Sequence, residues 1–202
     1  MSILITADTT CIIQGITGRE AVSMTRECLD YGTRIVGGVT PGRGGRDVHG
    51  VPVYDTVEEV AKKTRVDASV ISVPPAFARD AAFEAIEAGV KLLVIVTENI
   101  PRFEVAQMVE LAELRGARMI GPNCLGVLAP GEAKIGGLGG RAVDARKAFT
   151  KGRIGVMSRS GGMTTEICNT LSAAGLGQST AVSIGGDAII GSSYAELMPL
   201  FE

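Results

Sequence analysis

The 202-residue chain has no tryptophan, only 4% aromatic residues and a single histidine, His49. Its 20 basic and 22 acidic residues give a formal net charge of −2, so we predict no nucleic-acid partner. The four cysteines are scattered, with no Cys-x-x-Cys pair, which argues against a metal site or a disulfide framework. No apolar run is long enough to span a membrane and no basic signal region precedes one, so we expect a cytoplasmic protein without membrane contact.

Glycine is abundant, with 27 residues, and 46% of the chain is hydrophobic. The glycines follow apolar runs rich in Val and Ile, which is typical of buried parallel strands joined by tight turns. Between residues 10 and 121, such runs alternate with helical patterns over short loops. This order predicts an α/β fold with a Rossmann-type doubly wound parallel sheet, whose ligand loops gather at its carboxyl edge.

The regular alternation stops near residue 130 and resumes at residue 153. We therefore predict a Rossmann-type domain over 1–130, a linker or long ordered loop over 131–152, and the beginning of a second, flavodoxin-like α/β domain over 153–202. The two strands and two helices predicted after residue 153 are too few for a sheet covered on both faces. The second domain is expected to be incomplete or to complete itself against something else.

A glycine-rich turn follows the first predicted strand and opens a predicted helix. Gly15, Gly18 and Ala21 form a Gly-x-x-Gly-x-x-Ala pattern, a relative of the dinucleotide fingerprint. Such a turn lets the backbone approach a phosphate closely and directs helix N–H groups at the anion. Glycine also suits any strand-to-helix turn, so this pattern alone is weak evidence.

Each main strand of the first domain ends in a loop rich in glycine, proline and hydroxyl groups, and these loops should line one edge of the sheet. The second strand ends without the acidic residue that would hold the ribose of NAD, and Arg43 in the next loop supplies a cation instead. The ligand is therefore predicted to be NADP or coenzyme A rather than NAD. The loops are Gly15–Glu20, Thr40–Arg46, Val73–Pro75, Val96–Asn99 and Gly121–Cys124.

Three further candidates carry less weight. His49 precedes a glycine and is expected to be a turn residue rather than a catalytic base. Cys124 follows a strand end, where a small buried residue is commoner than a reactive thiol. Residues 158–162, at the start of a predicted helix, form a second possible anion nest. They lack a Gly-x-Ser-x-Gly elbow and a histidine partner, so a serine hydrolase is a poor interpretation.

Several motifs in order give the chain a likeness to a known family along almost its whole length. The chain resembles the α subunits of succinyl-CoA synthetase and related ADP-forming acid–CoA ligases, with some ATP citrate lyase-like features. The motifs are Met1–Ile5, Gln14–Gly18, Val36–Gly42, Thr97–Pro101, Gly121–Cys124, Ser158–Gly161 and Ile184–Asp187.

The resemblance implies that the first domain binds coenzyme A. By position, residues 17–20 would hold its phosphates, Arg43 would replace the family's usual lysine, and residues 96–98 would contact the distal part of the cofactor. With the neighbouring strand ends, the predicted cofactor-binding residues are Thr17, Gly18, Arg19, Glu20, Arg43, Val73, Pro74, Val96, Thr97, Glu98, Asn123 and Cys124. The predicted substrate-side residues are Ser160, Gly161, Gly162 and Thr165.

The implied reaction makes an acyl-CoA from a small carboxylic acid, CoA and ATP through a phosphohistidine and an acyl phosphate. The family's phosphohistidine lies beyond Glu202, so we predict no catalytic residue in this chain and no turnover without that region. ATP or ADP, with Mg, would belong to an ATP-grasp β subunit.

The acid remains open at this stage. The run Gly161-Gly162-Met163 looks more like the citrate lyase branch than the succinate pattern, and Thr165 replaces a tyrosine that borders the acid site in the family. The resemblance therefore implies a succinate-like di- or tricarboxylate, with succinate, malate, citrate or another small acid left open. The alternative function is a non-catalytic CoA- or nucleotide-sensing module. An NADP oxidoreductase is less favoured, because its catalytic His or Tyr-x-x-x-Lys pair is missing.

Overall fold

The larger of two sheets is built from seven strands in the order β3-β4-β2-β1-β5-β6-β7, in a computed structural model that describes residues 2–201. All neighbouring strands in it are parallel except the short β3, which pairs antiparallel with β4. The order reverses beside β1, where a Rossmann-type fold places its ligand crevice. In chain order the elements are β1 (Thr10–Gln14), α1 (Arg19–Tyr31), β2 (Arg34–Val39), β3 (Asp47–Val48), β4 (Val51–Tyr54), α2 (Val57–Ala61), β5 (Ala68–Ile71), α3 (Pro75–Glu87), β6 (Leu92–Ile95), α4 (Arg102–Leu114) and β7 (Arg118–Ile120).

The second sheet has four strands in the order β10-β11-β8-β9. Strands β10 and β11 are parallel, whereas β8 pairs antiparallel with both β11 and β9. Its elements are β8 (Gly126–Ala129), β9 (Ala133–Ile135), α5 (Ala142–Ala148), β10 (Lys151–Ser158), α6 (Gly161–Ala173), β11 (Gln178–Ser183), α7 (Tyr194–Leu197) and a 3₁₀ turn (Met198–Phe201).

The two sheets share one hydrophobic core. Alternate residues of a strand face opposite sides of its sheet, and in β1 Ile12 faces helices α2, α3 and α4 whereas Ile13 faces the other way. Ile13 packs in the same buried cluster as Val127 and Val182 from the second sheet. The second sheet, together with α1, therefore covers one face of the larger sheet, and α5 and α6 cover the far side of the second sheet.

Residues 131–152, expected to form a linker or an ordered loop, contain β9 and α5. Strand β9 has only three residues and carries Lys134 in its centre, so it gives no apolar run that a sequence pattern would reveal. The expected shortage of strands in the second unit is met by the β8–β9 hairpin and by packing against the larger sheet. The domain boundaries themselves stay a prediction.

Helix α1 illustrates how closely the first unit follows its sequence pattern. Its buried residues Ala21, Met24 and Cys28 recur at helical spacing, and Gly32 ends the helix at φ 105°. The next helix, α2, is capped by Thr56, whose hydroxyl accepts from the Glu59 amide at 3.2 Å. Within residues 2–201, every helix is too short or too polar to cross a membrane.

Candidate cofactor site

Three adjoining cavities follow the carboxyl edge of the larger sheet, and Ser72, just after β5, lines all three. The outer pocket, of about 550 Å³, is lined by Thr17, Thr40, Pro41, Val73 and Phe77 among others. The middle pocket, of about 600 Å³, is lined by Gly18, Arg19, Pro74, Val96, Thr97 and Glu98 among others. The inner chamber, of about 910 Å³, lies between α1 and the second unit and is lined by Glu20, Asn123, Cys124, Ser160, Gly161 and Gly162 among others. The groove thus brings together every predicted site residue except Arg43 and Thr165.

The turn before α1 requires glycine at its first position. Gly15 has φ +82°, and a Cβ there would collide with the carbonyl oxygen of Ser72. The amide of Gly15 donates to the carbonyl of Val39 at 2.7 Å, so the turn is fixed against β2. The end of β1 is thereby held against the end of β2 and lies close to Ser72 after β5, at the point where the outer and middle pockets meet.

Helix α1 presents its positive end to the groove. Gly18 is its N-cap residue and has no side chain to cap the first amides, unlike Ser, Thr or Asp at this position. The 13-residue helix adds a partial positive charge at this end. The side chains of Arg19 and Glu20 are exposed beside these amides. An uncapped helix start lining a cavity is well suited to an anionic group such as a phosphate.

Hydroxyl groups tie the strand ends of the groove together. The Thr17 hydroxyl donates to the Thr40 hydroxyl at 3.2 Å, which in turn donates to the Val39 carbonyl at 2.8 Å. The Thr97 hydroxyl donates to the carbonyl of Val73 at 2.8 Å and joins the ends of β6 and β5. These contacts hold the middle and outer pockets in shape without a ligand.

A seam of hydrogen bonds joins the two units beside the inner chamber. The side-chain amide of Asn123 donates to the Asp187 carboxylate at 2.9 Å, and the Gly186 amide donates to the Asn123 carbonyl at 2.9 Å. The Asn123 amide itself donates to the carbonyl of Thr97 at 3.0 Å. Asn123 therefore connects the middle pocket with the loop that follows β11.

Helix α6 begins on the other wall of the inner chamber. The Ser160 hydroxyl accepts from the amide of Met163 at 3.3 Å, so this serine is a helix cap rather than an activated nucleophile. Gly161 and Gly162 form the first turn and line the chamber. Thr165 lies one turn later and donates to the carbonyl of Gly161 at 3.3 Å, so its predicted contact with the acid stays a prediction.

Cys124 lines the inner chamber but its thiol is directed into the protein. The residue is 4% exposed, and its Sγ donates to the carbonyl of Ile95 at 3.2 Å. Burial raises the pKa of the Cys124 thiol to about 12. Because the thiolate is the nucleophilic form, this environment makes Cys124 a packing residue and not a reactive one.

Arg43 lies on the exposed loop after β2, outside the linings of the three cavities. The Asp55 carboxylate accepts from the amides of Arg43 and Gly44 at 3.1 and 3.0 Å, which fixes the loop backbone. Thr40 and Pro41, at the start of the same loop, line the outer pocket. His49 is exposed at φ 53° in the turn between β3 and β4, as expected for a turn residue.

Several groove residues lie outside the predicted set of binding residues, among them Ser72, Phe77 and Arg159. Ser72 directly precedes the predicted Val73, so extending the strand-end loop by one residue would have found it. Phe77 is 62% exposed on α3 and lines the outer pocket, and a single exposed apolar side chain gives no signal that sequence reasoning could use. Arg159 lies inside the 158–162 segment predicted as a possible anion nest, but no local pattern reveals its contacts with Gly185 and Gly186.

The fold and the groove define a class of protein, in which a Rossmann-type sheet presents an uncapped helix start to a long cavity at its carboxyl edge. Residues 6–99 match the family described as the CoA binding domain. Succinate–CoA ligase (ADP-forming) subunit alpha 1 of Archaeoglobus fulgidus is 48% identical over 204 residues, which cover 100% of this chain and 67% of the relative. The corresponding alpha subunit of Aquifex aeolicus is 44% identical over 203 residues, which cover 100% of this chain and 65% of the relative. The chain belongs to the family of ADP-forming succinate–CoA ligase alpha subunits.

Solved structures support the same fold. ATP citrate lyase from Methanothrix soehngenii, in complex with citrate and coenzyme A, superposes with a TM-score of 0.90 at 22% identity, over 99% of this chain and 35% of that chain. A dinucleotide-forming acetyl-coenzyme A synthetase from Ca. Korarchaeum cryptofilum gives a TM-score of 0.70 at 20% identity, over 96% of this chain and 42% of that chain. The chain spans about two thirds of the length of its curated relatives. Membership in a ligase family does not favour the alternative of a sensing module.

Proposed function

We propose that the chain is the CoA-binding part of an ADP-forming acid–CoA ligase, which makes an acyl-CoA from a small di- or tricarboxylic acid. The observation that carries this proposal is the uncapped start of α1, open to a groove that continues from the outer pocket to the inner chamber. The relatives are named as alpha subunits of such ligases, which supports the same reaction class.

The groove suits the parts of coenzyme A in order. The outer pocket has apolar residues, including Val39 and Phe77, against which an adenine ring would pack. The first amides of α1 would bind phosphate groups in the middle pocket, and Arg43 would reach the same anions from its loop. Ser72 is common to all three cavities, so the pantetheine arm would pass it on the way to the inner chamber.

Bound coenzyme A supplies the thiol that accepts the acyl group. The residues of the inner chamber would hold the reacting end and exclude water from it. The amides of Gly161 and Gly162, at the positive end of the 13-residue α6, would orient the carboxylate of the acid. Cys124 packs behind this end without entering the chemistry.

The phosphoryl transfer and the nucleotide would lie outside this chain. We propose that a β subunit of ATP-grasp type holds ATP or ADP with Mg and that the phosphohistidine follows residue 202. The names of the relatives imply a second subunit, since each is an alpha subunit. The cytoplasm remains the predicted compartment.

Calorimetric titration with CoA, NADP and NAD tests the proposal. We expect CoA to bind and the two dinucleotides to bind at least tenfold more weakly. NAD is disfavoured because no acidic residue follows β2 to hold its ribose, and NADP is disfavoured because residues 6–99 match a CoA binding domain. Binding of NADP without CoA would overturn the proposal.

A paired substitution tests the predicted part of Arg43. Arg43→Ala should weaken CoA binding about tenfold, the loss expected for one charge-assisted contact with a phosphate. Arg115→Ala is the matched control, since Arg115 is also exposed but lies at the C-terminal end of α4. Equal CoA affinities for the two variants would remove Arg43 from the site.

A further inference from the structure

The guanidinium group of Arg159 is bound to the loop after β11 by several hydrogen bonds. Its Nε donates to the carbonyl of Gly185 at 3.2 Å, and its Nη2 donates to the carbonyl of Gly186 at 3.1 Å and to that of Asp187. Within residues 2–201 Arg159 forms no ion pair, so its charge is directed to these backbone carbonyls. A planar fork of donors suits such a multiple contact, whereas a lysine ammonium cannot reproduce it.

The loop that Arg159 holds is part of the inner chamber. Gly186 lines the chamber and donates through its amide to Asn123, and Asp187 accepts from the Asn123 side chain. Gly185 has φ +110°, and a Cβ there would collide with the carbonyl oxygen of Pro122, so the loop lies directly against the 121–124 segment. The position of Asn123 at the chamber therefore depends on a loop that Arg159 fixes from the end of β10.

The middle and outer pockets are built from other elements. They are formed by the turn before α1 and by the ends of β2, β5 and β6, whereas the side-chain hydrogen bonds of Arg159 go to residues 185–187. A loss of the Arg159 contacts should consequently deform the compartment for the acyl end more than the rest of the groove. Asn123 meets the middle pocket through its backbone amide, which donates to the Thr97 carbonyl, and not through the side chain that Asp187 holds.

We propose that Arg159 is a positioning residue, which shapes the compartment for the acyl group by holding residues 185–187 against Asn123. The inference rests on the proposed function, because it assigns the inner chamber to the acyl end of an acyl-CoA. Arg159 acts through the fork of its guanidinium group and not through its charge alone.

The test compares the binding of succinyl-CoA and CoA to the full chain and to its Arg159→Lys and Arg159→Gln variants. We expect both variants to weaken succinyl-CoA binding about tenfold, the size of one lost hydrogen bond to a charged group. Binding of CoA should change less than twofold. The matched control is Arg153→Gln, an exposed arginine on the same strand β10, which should leave both affinities unchanged.

Each other outcome overturns the inference. Wild-type affinity for succinyl-CoA in Arg159→Lys would show that charge suffices without the fork. An equal loss of both ligands with a lowered melting temperature would show a role in general stability only. Unchanged affinities in both variants would remove Arg159 from the compartment. If the unmodified chain binds NADP and not CoA, the proposed function fails instead, and this result is separate from the comparison of variants.

Discussion

The buried ion pair between Lys134 and Glu27 leads to the sharpest prediction on stability. Lys134 in β9 has no exposed surface, and its Nζ donates to Glu27 Oε2 at 3.2 Å and to the Gly140 carbonyl at 2.6 Å. The Glu27 side chain is 27% exposed and lines the inner chamber. The two partners thus differ in their access to water, and removing one is not equivalent to removing the other.

Glu27→Gln should be the more harmful substitution, because it leaves the lysine charge buried without its counter-charge. Two unit charges 3.2 Å apart attract each other by about 5 kcal/mol at an effective dielectric constant of 20. Since Glu27 is partly solvated, we expect a loss of about 3 kcal/mol in the free energy of unfolding, the lower end for a broken buried pair. Lys134→Met leaves a carboxylate that water can reach, and should cost about 1.5 kcal/mol.

The double variant separates this explanation from simple loss of packing. Combining Glu27→Gln with Lys134→Met removes the unpaired charge, so the double variant should be more stable than Glu27→Gln alone, by about 1.5 kcal/mol. Urea unfolding followed by circular dichroism measures all three. The control is Glu58→Gln, whose pair with Lys62 is 69% exposed on both sides and should leave the free energy of unfolding almost unchanged. A double variant no more stable than Glu27→Gln would refute the reasoning.

Three further measurements test other features. Gly15→Ala should lower the free energy of unfolding by about 3 kcal/mol or more and abolish CoA binding, because its Cβ would strike the Ser72 carbonyl. The control is Gly42→Ala, at φ +73° in open space, which should lower the free energy of unfolding by only about 1 kcal/mol; thermal unfolding measures both. Burial raises the pKa of the Cys124 thiol to about 12, so iodoacetamide at neutral pH should label Cys124 only in denaturant, as read by mass spectrometry; rapid labelling of the native chain would contradict its packing role. Hydrogen bonds from the Ser193 hydroxyl and amide lower the pKa of the Glu196 carboxyl. The stability from this capping box is present above the unfolded pKa of Glu196 and is lost as the pH falls through its lower folded value. Ser193→Ala should therefore destabilise the chain by about 1 kcal/mol at pH 7 and by less under acid conditions, and an equal cost at both pH values would contradict this explanation.

The first unit was predictable from sequence because its strands and helices carry their own local signals. Strands β5 and β6 are short apolar runs, each followed by a helix, which is the alternation that the sequence predicted between residues 10 and 121. The turn at Gly15 was predictable because a glycine stands between an apolar run and the predicted start of α1. Most of the groove followed from these elements, because the carboxyl ends of parallel strands meet at one edge.

The second unit and its contribution to the groove were less predictable. The hairpin of β8 and β9 is short, and Lys134 interrupts its apolar pattern although this lysine is fully buried. Its burial depends on Glu27, which is 107 residues away in the chain. Arg159 reaches its partners across a gap of 26 to 28 residues. Contacts at such separations depend on how the two units pack together, and the spacing of residues along the chain does not predict them.

The core shared by the two sheets has a consequence for ligand binding as a whole. Ile13 of the larger sheet and Val182 of the smaller one belong to a single buried cluster, and the amide of Ile3 donates to the Thr180 hydroxyl at 2.9 Å. Ile3 is thus anchored on strand β11. Because residues of both units line the inner chamber and share this cluster, we expect a ligand held in the groove to stabilise both halves by mass action. Ligand occupancy should therefore raise the midpoint of one common melting transition, with no separate transition for either half.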